Sequence, residues 1–356
     1  MDFLQLDLPL IWAILIAVAI MLYVLLDGMD LGIGMLTFVA GDEDERNMMT
    51  ATIEPVWDGN ETWLVLGGGG LFAAFPLAYS ILMPAFYLPV ILMLAALIFR
   101  GVAFEFRHKA VRRPTRLFWN GAFYGGSFAA AFSQGIILGA FIQGVTVEGR
   151  AFAGGSLDWL TPFSLMVGFG VVAGYVLLGA CWLVLKTEGE LQVKARRWAT
   201  LALVAVAIGF AAISLATLSI DPRVTERWGF SMTHLDPGSL LPLGLIPLGL
   251  IPLAGLALTL LLARDLVSGA GKAPDWRPYL LAAGIFLSGY LGLAVSLFPW
   301  LVPFAFTIHE TAARDNALGF MLVGAAIMLP VILGYTAYVY SVFWGKVKPG
   351  DGYHSA

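Results

Sequence analysis

Charge is scarce in this chain: only 12% of its 356 residues are Asp, Glu, Lys or Arg, roughly half the share of an ordinary soluble domain. Cysteine is nearly absent, with Cys181 alone, which excludes a disulfide scaffold and a multi-cysteine metal site. No basic excess exists, since 20 Lys and Arg face 24 Asp and Glu for a net charge of −4, and a nucleic-acid partner is excluded. Long polar or low-complexity segments are missing too, so the chain is not disordered. What fills it is apolar: 59% hydrophobic residues and 41 glycines. A soluble globule of this size cannot hide that much apolar side chain. The composition therefore predicts an all-α polytopic membrane protein, a single integral membrane domain over 1–356.

A membrane span needs about 20 mostly apolar residues. Such runs are expected at 8–37, 52–76, 80–104, 117–145, 162–185, 198–219, 240–263, 279–298 and 317–344, giving about nine transmembrane helices. The opening MDFLQLDLPLIW lacks the basic start of a signal peptide, so the first run is expected to stay as a helix. Lys and Arg favour the cytoplasmic side. With the N-terminus outside, one side collects Arg46, Arg107, Lys109, Arg112, Arg113, Arg116, Lys186, Lys194, Arg196, Arg197, Arg264, Lys272, Arg277, Lys346 and Lys348, against Arg150, Arg223, Arg227 and Arg314 on the other. That asymmetry predicts N-out, C-in and an odd number of spans.

An ionised side chain at bilayer depth costs about 2.5–3.5 kcal/mol, so each one needs a reason. Asp27, Asp30, Glu54, Asp58, Glu61, Arg100 and Glu105 stand in or at the ends of the first three spans, and the interiors of the other six are expected to hold none. Asp27 and Asp30 are three apart, and Glu54, Asp58 and Glu61 are spaced four and three, so each set is expected on one helix face. Two acidic stripes on neighbouring helices can meet. In WDGNETW, Asp58, Asn60 and Glu61 crowd one helix between Trp57 and Trp63. Glu105 precedes Lys109 by four, the favourable order for a helical ion pair. Carboxyls converging on an inner helix end suit a proton path; the plainer reading is that they cap helices and pair with Arg100 or Lys109.

The run Gly67, Gly68, Gly69 and Gly70 costs roughly 1 kcal/mol per residue against Ala in a helix, which predicts close helix packing, within the chain or against a partner. The small residues of LYVLLDGMDLGIGML predict that the first two helices pack on each other. The four histidines, His108, His234, His309 and His354, fall in loops, span ends or the tail. No haem or metal ligand set is visible, and His309 beside Glu310 reads as an ordinary surface histidine.

The stretches LLDGMDLGIGML, PVWDGNETWLVLGGGGLFAAFP, FRGVAFEFRHK and TEGELQVKAR resemble subunit II of the cytochrome bd-type quinol oxidases, over essentially the whole chain. GNETWLV and the short outer loops look more like the cyanide-insensitive branch. The resemblance implies a heterodimer with subunit I in a bacterial inner membrane, with the N-terminus periplasmic and the C-terminus cytoplasmic, amid membrane lipids. It implies that the complex oxidises quinol and reduces dioxygen to water, with haem b and haem d, or b in its place, liganded by subunit I and none by this chain. By position it assigns Asp58, Glu105 and Lys109 to a cytoplasmic proton-uptake path and Asp30 to an acidic site, with Arg100 as the partner of one of these acids. Here Glu105 stands where some members have Asp. A bound quinone and small accessory subunits are left open. The rivals are an ion-coupled transporter or channel using the same acidic face, and a pure scaffold.

Overall fold

The computed structural model describes residues 6–227, 245–269 and 272–348. Among these residues, thirteen α-helices and two short hairpins follow in order, besides a 3-10 turn at Thr37–Val39: α1 (Leu8–Leu36), α2 (Glu43–Ala51), α3 (Trp57–Ala74), α4 (Pro76–Ala85), α5 (Tyr87–Lys109), α6 (Arg113–Gln143), the hairpin β1 (Val147–Glu148) and β2 (Ala151–Phe152), α7 (Pro162–Lys186), α8 (Gly189–Thr217), α9 (Pro222–Arg227), α10 (Leu245–Val267), α11 (Arg277–Leu297), the hairpin β3 (Trp300–Val302) and β4 (Phe306–Thr307), α12 (Ile308–Thr311) and α13 (Asp315–Val342). Both hairpins are antiparallel, with Val147 opposite Phe152 and Trp300 opposite Thr307.

Among the described residues, eight helices are long and apolar enough to cross a membrane. The expected span at 52–76 is the exception: α3 begins only at Trp57 and is long enough at 18 residues, but Asp58, Asn60 and Glu61 leave it less apolar than the other eight. Pro55 explains the late start, because a proline disfavours helical backbone at the residue before it. Glu54 therefore lies in a turn, off the helix that carries Asp58 and Glu61. The expected third span is divided. α4 begins at Pro76, and Phe86 separates it from α5. Residues 240–244 of the expected seventh span, together with His234 and His354, lie outside the described residues.

The core sits between α1, α5, α6, α7 and α8, around Met29, Leu31, Ile33, Phe104, Phe123 and Leu177–Val184. Glycines decide how closely α1 and α7 approach: a Cβ on Gly32 would lie 1.9 Å from the Tyr175 carbonyl oxygen, and one on Gly179 would lie 2.6 Å from the Ile33 nitrogen. The first two spans, α1 and α3, do pack on each other as expected, but the glycines of LLDGMDLGIG serve α7 and α6 rather than that contact. The α1–α3 contact uses the other partner's glycines, with Gly67 against Ile20 and Gly70 against Ile16. Gly68 and Gly69 face open space, so only half of the four-glycine run packs within this chain.

Charges also gather at one end of the bundle, where α7, α10 and α13 finish and α8 and α11 begin. Asp275 meets Lys346 at 2.6 Å and Arg196 at 3.0 Å, and Asp265 meets Arg277 at 2.9 Å. Lys186 is buried and donates to the carbonyls of Phe343 and Gly345, while the Val347 amide donates back to the Lys186 carbonyl at 2.8 Å. This network ties the segment after α13 to the bundle. At the opposite end His309 Nε2 lies 2.9 Å from Asp7 Oδ2, and Glu310 caps its own helix through Thr307. The Leu10 amide and His309 hold the Asp7 carboxyl below its usual range.

Candidate functional site: a buried acid cluster around Arg100

Arg100 is fully buried on α5, about 13 Å of helical rise before the end of that helix at Lys109. Its Nη1 donates to Glu61 Oε1 of α3 at 2.6 Å and lies 3.6 Å from Asp27 Oδ1 of α1. The guanidinium also stacks over Trp57, 5.2 Å from the ring centre. Asp30, one turn beyond Asp27, accepts from Asn60 Nδ2 at 2.8 Å. Asn60 Oδ1 in turn accepts from the Tyr340 hydroxyl of α13 at 3.1 Å. Three sequence-predicted acids and one arginine from three helices therefore converge, but of the expected second stripe only Glu61 takes part.

Asp27, Asp30 and Arg100 are each 0% exposed, whereas the Glu61 side chain is 28% exposed. Three carboxyls against one guanidinium leave an excess of acid, and burial disfavours each ionised form. Both Asp27 oxygens, Asp30 Oδ1, Arg100 Nε and Nη2, and Trp63 Nε1 make no hydrogen bond to the described residues. Buried polar atoms left this way are costly. The cluster thus has hydrogen-bonding capacity beyond its internal pairs, suited to shared protons or ordered water.

The other predicted site residues lie elsewhere. Asp58 is exposed in this chain, at the start of an outward stripe of α3 continued by Thr62, Val65, Gly69 and Phe72. It stands three residues before Glu61, about 60° around the helix, so Glu61 spans from that outer face to buried Arg100. Glu105 and Lys109 are exposed and do not pair with each other; Lys109 Nζ instead lies 5.8 Å from the Phe106 ring. Five positions separate Glu105 from Arg100, about 140° around α5, which turns it away from the cluster. Glu54 is half-buried in its turn. Trp63 is buried beside Ala19 and Tyr23.

Sequence reasoning missed the polar partners supplied by helices read as apolar packing surface. Tyr340 reaches Asn60 from α13, the Tyr279 hydroxyl of α11 donates to the Leu25 carbonyl at 3.2 Å, and Gln134 of α6 meets Tyr23 and Tyr175. The available signal was a single Gln in the apolar run AFSQGIIL and tyrosines in otherwise aliphatic helices. Arg107 belongs to the basic side of the topology, yet it is buried, donating to Thr50 at 2.7 Å, Asn120 at 3.1 Å and Asn47 at 3.2 Å. Among the described residues, no group of three or more His, Cys, Asp or Glu could hold a metal ion, and the ring of His309 is engaged with Asp7.

A protein-family model described as cytochrome bd terminal oxidase subunit II matches residues 8–343. The chain is 30% identical over 366 aligned residues to a protein named cytochrome bd-I ubiquinol oxidase subunit 2 from Escherichia coli (strain K12), covering 96% of this chain and 95% of that one. It is 29% identical over 349 residues to cytochrome bd ubiquinol oxidase subunit 2 of Bacillus subtilis (strain 168), covering 95% and 96%. A chain in the structure of bd oxidase from Geobacillus thermodenitrificans shares the fold, with a TM-score of 0.73 at 14% identity, over 95% of this chain and 98% of that one.

Proposed function

The chain belongs to the cytochrome bd terminal oxidase subunit II family, and on that premise we propose that it carries protons for a quinol oxidase whose haems reside in subunit I. The complex it serves is an oxidoreductase of quinol and dioxygen. This chain contributes acid–base groups and a surface for its partner, in a bacterial inner membrane with the basic end of the bundle in the cytoplasm. The b-type and d-type haems, or a second b in place of d, would be held by subunit I and supply the oxygen chemistry. Whole-length family membership supports this reading over a transporter or channel.

The observation that carries the proposal is the position of Glu61, which joins fully buried Arg100 to the exposed α3 face bearing Asp58. Protons enter at the basic end near Glu105 and Lys109, pass Asp58 where α3 meets subunit I, and reach Glu61 and the Asp27–Asp30 pair. Arg100 holds Glu61 in place by a charge-assisted bond and offsets part of the negative charge. Carboxyls alternate between donor and acceptor as they gain and lose a proton, which an apolar bundle cannot do. The stripe from Asp58 to Phe72, with Gly69 permitting close approach, is the face assigned to subunit I.

The test is Asp58→Asn in the assembled two-subunit complex. Quinol oxidase turnover is expected to fall at least about tenfold, with haem content unchanged. Turnover above half of the unmodified rate in a haem-replete variant would remove Asp58 from the path and return the acids to a scaffolding role.

A further inference from the structure

α13 adds little to the core: of its 28 residues only Leu318 is buried. Near its end, though, Tyr340 turns inward. Its ring meets Trp182 of α7 edge-on, with centroids 6.0 Å apart and planes at 79°, and its hydroxyl donates to Asn60 Oδ1 at 3.1 Å. Asn60 is 1% exposed. Its Nδ2 donates to Asp30 Oδ2 at 2.8 Å and lies 3.5 Å from the Leu26 carbonyl oxygen, one turn earlier on α1. A loosely packed helix thus reaches the acid cluster through one side-chain amide.

We infer that Tyr340 is a positioning residue: by holding the Asn60 amide in one orientation it keeps an N–H on Asp30 Oδ2, so that Asp30 takes up and releases its proton at Oδ1. Donors and acceptors decide the orientation. A side-chain amide has a donor edge and an acceptor edge. On the α1 side stand the Leu26 carbonyl, which only accepts, and the Asp30 carboxyl; turning the amide over would set Asn60 Oδ1 against the Leu26 oxygen. Nδ2 therefore belongs on that side whether or not Asp30 carries a proton. The carbonyl edge is left to Tyr340, whose one hydroxyl hydrogen satisfies it. The Tyr279 hydroxyl is already committed, giving its hydrogen to the Leu25 carbonyl at 3.2 Å. A proton on Asp30 Oδ2 would meet the Asn60 N–H head-on, and that N–H cannot accept it. Oδ1 is buried and makes no hydrogen bond to the described residues, which leaves it as the oxygen open to exchange.

This inference rests on the proton-carrying reading of the cluster. The titratable and charged groups around Asp30 are Asp27 on its own helix, Glu61 from α3, Arg100 from α5, Tyr279 from α11 and Tyr340 from α13. α7, packed on α1 through Gly179, carries Tyr175 and Cys181 in that stretch, and α6 meets α1 through Phe123 and Ser127, which do not titrate. The experiment reads kcat against pH and pH-difference infrared spectra for the complete oxidase complex carrying Tyr340→Phe, Asp30→Asn or both. Tyr340→Phe keeps the ring on Trp182 and removes the hydroxyl alone. With the amide no longer held, the hydrogen bond that favours ionised Asp30 weakens. The acid limb of the profile is expected to move to higher pH by about 0.5–1 unit, the worth of one hydrogen bond, at unchanged haem content. The C=O band of protonated Asp30, identified by its loss in Asp30→Asn, should move to higher wavenumber, because Oδ2 is the carbonyl oxygen that accepts from Asn60. The double variant should match Asp30→Asn alone. If Asp30→Asn slows turnover but Tyr340→Phe leaves the limb or the band in place, or prevents assembly, the positioning role is overturned and the proton reading stands. If Asp30→Asn turns over normally, Asp30 is off the proton route, and the positioning role falls with that assignment.

Discussion

Two charged regions of this bundle use the same residue types to opposite ends. Around Arg100, three acids share one cation, three of the four groups are fully buried or nearly so, and several polar atoms lack partners. At the end of the bundle, Asp265, Asp275 and Glu188 meet Arg277, Arg196 and Lys346, one cation for each acid, with closest contacts of 2.6–3.7 Å. The second arrangement is balanced and reaches water, so it serves to fasten the segment after α13. The first is unbalanced and, apart from Glu61, fully buried, which no fastening role requires. Charge stoichiometry and depth, rather than the presence of ion pairs, separate a site from a clasp.

The strongest way to break this contrast is to remove the cation of the inner region. Arg100→Met leaves three acids without a counter-charge, and destabilisation of about 3–5 kcal/mol is expected, seen as loss of haem-bearing complex on purification and on heating. Unchanged yield and stability would show that Arg100 is not what holds the acids together. Asp275→Asn should do far less, costing about 1 kcal/mol or less, with full quinol oxidase turnover in the assembled complex. A marked loss of turnover there would erase the distinction between the regions.

The smallest effect is a pH dependence of the clasp. Burial pushes Asp275 upward, but hydrogen bonds from Lys346 and Gln192 and the nearby charges outweigh it, holding its carboxyl below the usual range. A depressed carboxyl contributes stability that is complete above its unfolded value of about 3.9 and is lost as pH falls through the lower folded value. Hydrogen exchange at the Val347 amide, corrected for its intrinsic pH dependence, should therefore show constant protection from neutral pH down to about 4 and weakening only below that. Loss of protection near pH 6 would mean that another group controls the clasp.

Much of the inner site was legible in the chain. Intramembrane charge is costly enough that Asp27, Asp30, Glu61 and Arg100 mark themselves, and three-residue spacing places the acids on shared faces. Glu54 misleads because four-residue spacing extends back across Pro55, where backbone sterics keep α3 from starting before Trp57. Glu105 and Lys109 misled differently: their spacing suited an ion pair, but a helix surface offers solvent, lipid or a partner as alternatives to pairing. The α1 glycines showed that something approaches closely without showing what. Gly28 and Gly32 are occupied by Tyr175, roughly 150 positions away, a distance over which periodicity carries no information.

The sequence by itself determined that this is a many-helix membrane protein, which residues stand at membrane depth and which family it resembles. These follow from transfer free energies and local spacing, which act residue by residue. Only the tertiary structure decided that Arg100 joins Asp27 to Glu61, that Asp58 faces outward while Asn60 links Asp30 to Tyr340, and that Gln134 bridges Tyr23 and Tyr175. Such contacts depend on how far each helix is rotated and how closely it approaches its neighbours. Rotation and approach are set by packing between distant segments, which is a property of the whole fold.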